Sequence, residues 1–108
     1  MSNELKEWQE KEFNEALGSN NVSVVEFGAK WCGACKATEP VLAQMSETYT
    51  DITFAKIDVS KNANLASKMG VMSLPNILII SGGKVVEQII GGANQNKIEE
   101  KLRKFTKV

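Results

Sequence analysis

The chain has 108 residues, of which 43% are hydrophobic and 24% charged, a composition that excludes a disordered or fibrous protein. Thirteen basic and thirteen acidic residues cancel, so there is no net positive charge to bind phosphates and nucleic acid is not an expected partner. At this length one domain, residues 1–108, buries roughly two-thirds of its unfolded surface and needs no staples to form a core.

The stretch Met1-Ser2-Asn3-Glu4-Leu5-Lys6-Glu7 lacks the positive start and apolar run of a secretory signal, and no apolar stretch approaches membrane-spanning length. The expected compartment is the cytoplasm, with no membrane partner. In that reducing environment a lone cysteine pair is catalytic, redox-sensing or metal-binding more often than it is a structural staple.

Leu5 to Trp8 is expected as a short first strand. Residues 9–17 follow as a helix with Phe13, Ala16 and Leu17 on one face, stopped at Gly18. Val22 to Phe27 is β-branched and nearly continuous in apolar character, which predicts a central strand buried on both faces; Glu26 is the anomaly within it. From Cys32 to about Tyr49 the apolar positions Val41, Leu42 and Met45 keep helical spacing, and Pro40 removes one backbone donor and is expected to kink the helix.

Ile52 to Val59 alternates as a third strand, and Asn62 to Met69 reads as a short helix ended by Gly70. After Pro75, the runs Asn76 to Ile80 and Lys84 to Ile90 flank Gly82-Gly83, a two-residue hairpin signal that makes these strands antiparallel. The last segment, Asn94 to Lys107, places Ile98, Leu102 and Phe105 on one helical face, with Asn94 as its N-cap. This order predicts an α/β protein: a mixed sheet with helices on both faces.

Both cysteines lie three positions apart in Trp31-Cys32-Gly33-Ala34-Cys35-Lys36, and the chain has no histidine. Two thiols without an imidazole cannot close a tetrahedral zinc site or a four-thiolate iron–sulfur site within one chain, so no metal is expected and dithiol–disulfide exchange is the leading reading. The motif falls at a strand-to-helix junction, where orphan backbone N–H groups and the positive dipole end stabilise a thiolate. Cys32 is therefore the expected nucleophile. Cys35, one turn onward, is the expected resolving thiol that attacks Cys32 in a mixed disulfide. Gly33 lets a partner backbone approach closely. The plain alternatives are an inert structural disulfide and half of a metal site shared between two chains.

Val24-Val25-Glu26-Phe27, the Trp31 to Lys36 motif, Pro40, Lys56-Ile57-Asp58-Val59, Leu74-Pro75 and Gly91, in that order, resemble the thioredoxin family along nearly the whole chain. The resemblance implies the thioredoxin fold, a central mixed five-stranded sheet flanked by four helices. It also implies a monomeric protein-disulfide reductase that serves cell redox homeostasis, acts on disulfide-containing substrate proteins and has no tightly bound cofactor. Electrons would come from a thioredoxin reductase, because the chain has no glycine-rich dinucleotide motif of its own.

By the same resemblance Pro75 is a cis-proline facing the cysteine pair, and the substrate groove is formed by Trp31, Gly33 and Ala34 on one side and Ser73, Leu74, Pro75 and Gly91 on the other. Read without it, Pro75 is a trans-proline opening an exposed strand and Trp31 a core residue.

Three departures from the family pattern stand out. Ala34 replaces the usual proline between the cysteines, which changes the relative stability of dithiol and disulfide. Glu26 replaces the buried aspartate; burial is expected to raise its pKa and fit it to accept the Cys35 proton directly or through water, while Lys56 opposes that rise. The alternative is that Glu26 reaches solvent or simply pairs with Lys56. Gly28 replaces a tryptophan, leaving a shallower or more mobile floor unless neighbouring side chains fill the space. Two other functions fit the same residues: a non-catalytic interaction module that uses the groove, and a disulfide oxidase or isomerase.

Overall fold

The apolar run that starts at Val22 becomes the middle of a five-stranded sheet in the computed structural model, which describes residues 5–108. The elements are β1 (Lys6–Trp8), α1 (Glu10–Leu17), β2 (Val22–Gly28), α2 (Gly33–Thr48), β3 (Ile52–Asp58), α3 (Ala63–Lys68), β4 (Asn76–Ser81), β5 (Lys84–Ile90) and α4 (Gln95–Leu102). The strand order is β1-β3-β2-β4-β5. β3 runs parallel to β1 and β2, whereas β4 is antiparallel to both β2 and β5. This is the mixed sheet with four helices that the sequence predicts.

Because side chains alternate along a strand, β2 feeds two separate cores. Val24 joins Leu42 and Met45 of α2, Phe54 of β3 and Ile98 and Leu102 of α4. Val25 and Phe27 join Phe13 of α1, Leu65 of α3 and Leu78 of β4 on the opposite side. Phe27 and Phe13 meet edge to face with ring centroids 5.8 Å apart. Glu26 and Gly28 share the parity of Val24, so both lie on the sheet face covered by α2.

Local signals set most of the ends. Gly82 and Gly83 have φ of +62° and +81°, the backbone that a tight hairpin with the right twist requires. Asn94 caps α4 by accepting a hydrogen bond from the Lys97 N–H at 2.9 Å. Helix α2 runs without a break from Gly33 to Thr48 with Pro40 inside it, and the Thr38 hydroxyl donates to the Ala34 carbonyl at 2.9 Å.

One boundary departs clearly from expectation, and another is met with a different backbone. Helix α4 stops at Leu102 instead of reaching Lys107: the Phe105 N–H bonds the Leu102 carbonyl three residues back, at 2.9 Å, and the chain passes into a turn. Gly18 ends α1 at φ −90°, so it stops the helix without the left-handed conformation that usually selects glycine there. The reading of residues 1–4 as lacking a secretory start lies outside the described residues. Among the described residues no helix is long and apolar enough to cross a membrane.

Candidate active site

Strand β2 ends at Gly28 in the middle of the sheet, and the connection through Ala29, Lys30 and Trp31 delivers Cys32 to the N-cap of α2. Extended backbone at Cys32 (φ −90°, ψ 108°) turns its sulfur back over the first turn, where Sγ accepts a hydrogen bond from the Cys35 N–H at 3.2 Å. The two sulfurs are joined in a disulfide, with Cα atoms 5.3 Å apart. Their exposure differs: Cys32 keeps 7% of its surface and Cys35 none. A partner therefore reaches only the first sulfur. The orphan N–H groups and dipole of a sixteen-residue helix converge on it.

Leu74 and Val59 pack against the cysteine pair. The Leu74–Pro75 peptide is cis, and the Pro75 carbonyl accepts from the Gly91 N–H at 2.9 Å, which ties this loop to the end of β5. Gly91 has φ of +89°, a conformation that other residues rarely adopt. Trp31, Ser73 and Leu74 line a groove of about 690 Å³ that contains Cys32 and continues over Val71, Met72 and Ala66. Trp31 is 77% exposed and Met72 95%, so the apolar walls beside Cys32 are open to a partner. Gly33 and Ala34 occupy the exposed first turn of α2, Pro75 is buried behind the groove, and Gly91 is half-buried. Met72 carried no signal in the sequence, because its exposure is set by how the α3–β4 connection folds.

Beneath the disulfide, Glu26 is fully buried, and neither of its carboxylate oxygens has a hydrogen-bond partner among the described residues. A Cβ on Gly28 would stand 3.0 Å from Cys35 Sγ and 3.3 Å from Glu26 Oε1. The sulfur and the carboxyl group thus flank the bare Cα of residue 28. Cys35 and Glu26 close on that Cα from both sides, and a cavity opens beside it.

Glu26, Gly28, Lys36, Glu39, Lys56 and Asp58 are among the residues that line a cavity of about 170 Å³ below the cysteine pair. Burial is the main reason the Glu26 pKa rises, to about 8, and the negative charge of Glu39 adds to the rise while Lys56 opposes it. Lys56 does not bond Glu26. Its ammonium donates to Glu39 Oε1 at 3.2 Å. Glu26 therefore neither reaches solvent nor pairs with Lys56. Sequence reasoning missed Glu39, although its place four residues after Cys35 puts it on the same face of α2.

The thioredoxin family model matches residues 4–104. Thioredoxin 2 of Chlorobaculum tepidum is 39% identical over 104 residues, covering 94% of this chain and 95% of that protein. Thioredoxin H2 of Arabidopsis thaliana is 37% identical over 98 residues, covering 91% of this chain and 72% of that one. Among solved structures, a mutant thioredoxin from Halobacterium salinarum superimposes with a TM-score of 0.87 at 32% identity, covering 98% of this chain and 94% of that one. The NaTrxh thioredoxin of Nicotiana alata superimposes with a TM-score of 0.81 at 39% identity over 91% and 84% of the two chains. A cysteine pair at the N-terminus of α2, packed against the Leu74 that precedes a cis-proline, accompanies that likeness over nearly the full length: the chain belongs to the thioredoxin family and is an oxidoreductase acting on protein disulfides.

Proposed function

We propose that Cys32 is the attacking thiolate and Cys35 the resolving thiol of a cytoplasmic, monomeric protein-disulfide reductase, one domain recharged by a thioredoxin reductase. The observation that carries this reading is the unequal exposure of two bonded sulfurs at one helix N-terminus. Cys32 attacks a substrate disulfide, releasing one substrate thiolate and leaving a mixed disulfide. Cys35 gives its proton to the Glu26 carboxylate, attacks Cys32, and displaces the second substrate sulfur as a thiolate. Two electrons pass from the cysteine pair to the substrate, and the pair ends as the disulfide.

The remaining site residues take supporting roles. Trp31, Ser73 and Leu74 offer apolar and backbone contacts to the substrate segment beside Cys32, with Gly33 and Ala34 leaving the helix tip uncrowded and the Gly91–Pro75 backbone bond holding the loop that carries Ser73 and Leu74. Lys56 modulates Glu26 through its charge. No bound cofactor is needed, since the electrons arrive by thiol exchange.

The test is a disulfide-reduction assay with dithiothreitol as the electron source. Cys32→Ser is expected to abolish reduction, and Cys35→Ser to accumulate a mixed disulfide with substrate. Reduction by Cys32→Ser at the wild-type rate would overturn the assignment.

A further inference from the structure

We propose that Glu39 is a positioning residue for the resolving step: anchored by Lys56 at the rim of the cavity below the cysteines, it sets the pH at which Glu26 takes the proton of Cys35. The inference rests on the reading of Glu26 as that proton's acceptor.

The geometry comes from register and helix phase. Glu26 and Lys56 are partners across the parallel β2–β3 pair, on the face covered by α2. Glu39 descends from α2 one turn beyond Cys35, and its side chain keeps 27% of its surface, whereas Glu26 keeps none. All three side chains line one cavity, which Gly28 extends to beneath the Cys35 sulfur. The 3.2 Å bond from Lys56 holds the Glu39 side chain there. A fixed negative charge beside a buried acid favours the acid's protonated form, while the Lys56 ammonium, bonded to Glu39, still opposes it through its charge.

The other charged groups around the cavity are Lys36 on α2, Asp58 on β3, Glu7 on β1 and Lys30 after β2; β4 places Ile77 opposite Glu26 and adds no charge. Glu7 is occupied by Lys61, and Asp58 by the Ser60 hydroxyl and N–H. In the resolving step the Cys35 S–H bond breaks and its proton moves to Glu26. The sulfur's electron pair forms the bond to Cys32 Sγ, and the substrate sulfur leaves with the electrons of the mixed disulfide. Glu39 exchanges no proton or electron in this scheme; it acts through Glu26 alone.

Two measurements test it: the titration of the Glu26 side-chain carboxyl by carbon-13 NMR, and the pH profile of glutathione release from the Cys32–glutathione mixed disulfide. In Glu39→Gln both inflexions are expected to move to lower pH by about one unit, and in Lys56→Gln both should move to higher pH. Glu47→Gln, which removes the same charge from the exposed side of α2, should leave both in place. A Glu26 titration unmoved by Glu39→Gln overturns the proposal, as does a titration that moves while the release profile stays put. If Glu26→Gln leaves the release profile unchanged, the proton-acceptor reading itself fails, whatever Glu39 does to the titration.

Discussion

Glu26 and Lys56 face each other across neighbouring strands of the sheet, yet the lysine ammonium bonds Glu39, 3.2 Å away on α2, and leaves the buried carboxyl without a partner. A buried acid without a partner is more easily kept neutral than ionised. Glu26 therefore stays protonated at pH values where an exposed carboxyl has long since ionised. The group that disturbs the apolar pattern of β2 and the Cys35 sulfur flank the same bare Cα at Gly28.

Stability should report this linkage. The Glu26 pKa is raised in the folded protein, to about 8, above its ordinary value of 4.5. Between those values the folded state holds a proton that the unfolded state has lost, so this group makes stability fall as pH rises. The loss approaches about 1.4 kcal/mol per pH unit within the window and levels off above the folded pKa. In urea denaturation of the oxidised protein from pH 5 to 9, Glu26→Gln should show a flatter profile than the wild type and exceed it most at pH 9. Parallel profiles would remove the buried-acid account.

Reduced protein should be alkylated in a fixed order. Cys32 keeps 7% of its surface at the helix N-terminus, on the wall of the open groove, and Cys35 keeps none, so brief treatment with iodoacetamide near neutral pH should modify Cys32 before Cys35. Mass spectrometry of the digested protein reads the order directly. Equal labelling would contradict the division of roles.

Adding one methyl group at residue 28 should be felt. The Cβ of Gly28→Ala would stand 3.0 Å from Cys35 Sγ and 3.3 Å from Glu26 Oε1, tighter than ordinary contact on both sides. Overpacking of this kind costs about 1–3 kcal/mol, to be read as a lower denaturant midpoint with an unchanged slope. Unchanged stability would mean that the sulfur and carboxyl give way freely.

The open groove predicts a split between substrates. Trp31 exposes a large apolar surface beside Cys32, so Trp31→Ala should raise KM for a protein disulfide by roughly tenfold, equivalent to about 1.4 kcal/mol. The rate with a small disulfide that touches only the sulfur should stay near wild type. Equal losses with both substrates would place Trp31 in support of Cys32 itself.

Much of the architecture was legible because local rules and the global fold agree. The β-branched run Val22 to Phe27 could satisfy its pattern only between two strands and two layers of helices, and Gly82-Gly83 allowed only a tight reversal. The helix end at Leu102 was not legible, since Phe105 continues the apolar spacing and only the tightening of its own N–H onto the Leu102 carbonyl, three residues back, marks the departure from the ladder.

The sequence by itself determined the chemistry: two thiols one helical turn apart, at a strand-to-helix junction, in a chain with no histidine to compete for a metal. Tertiary structure alone decided the electrostatics below them. Periodicity places Glu26 on the α2 face of the sheet, but whether Lys56 neutralises it depends on which carboxylate the flexible lysine stem meets first. That is settled by how α2 packs across β3, a contact between segments far apart in the chain that no local pattern encodes.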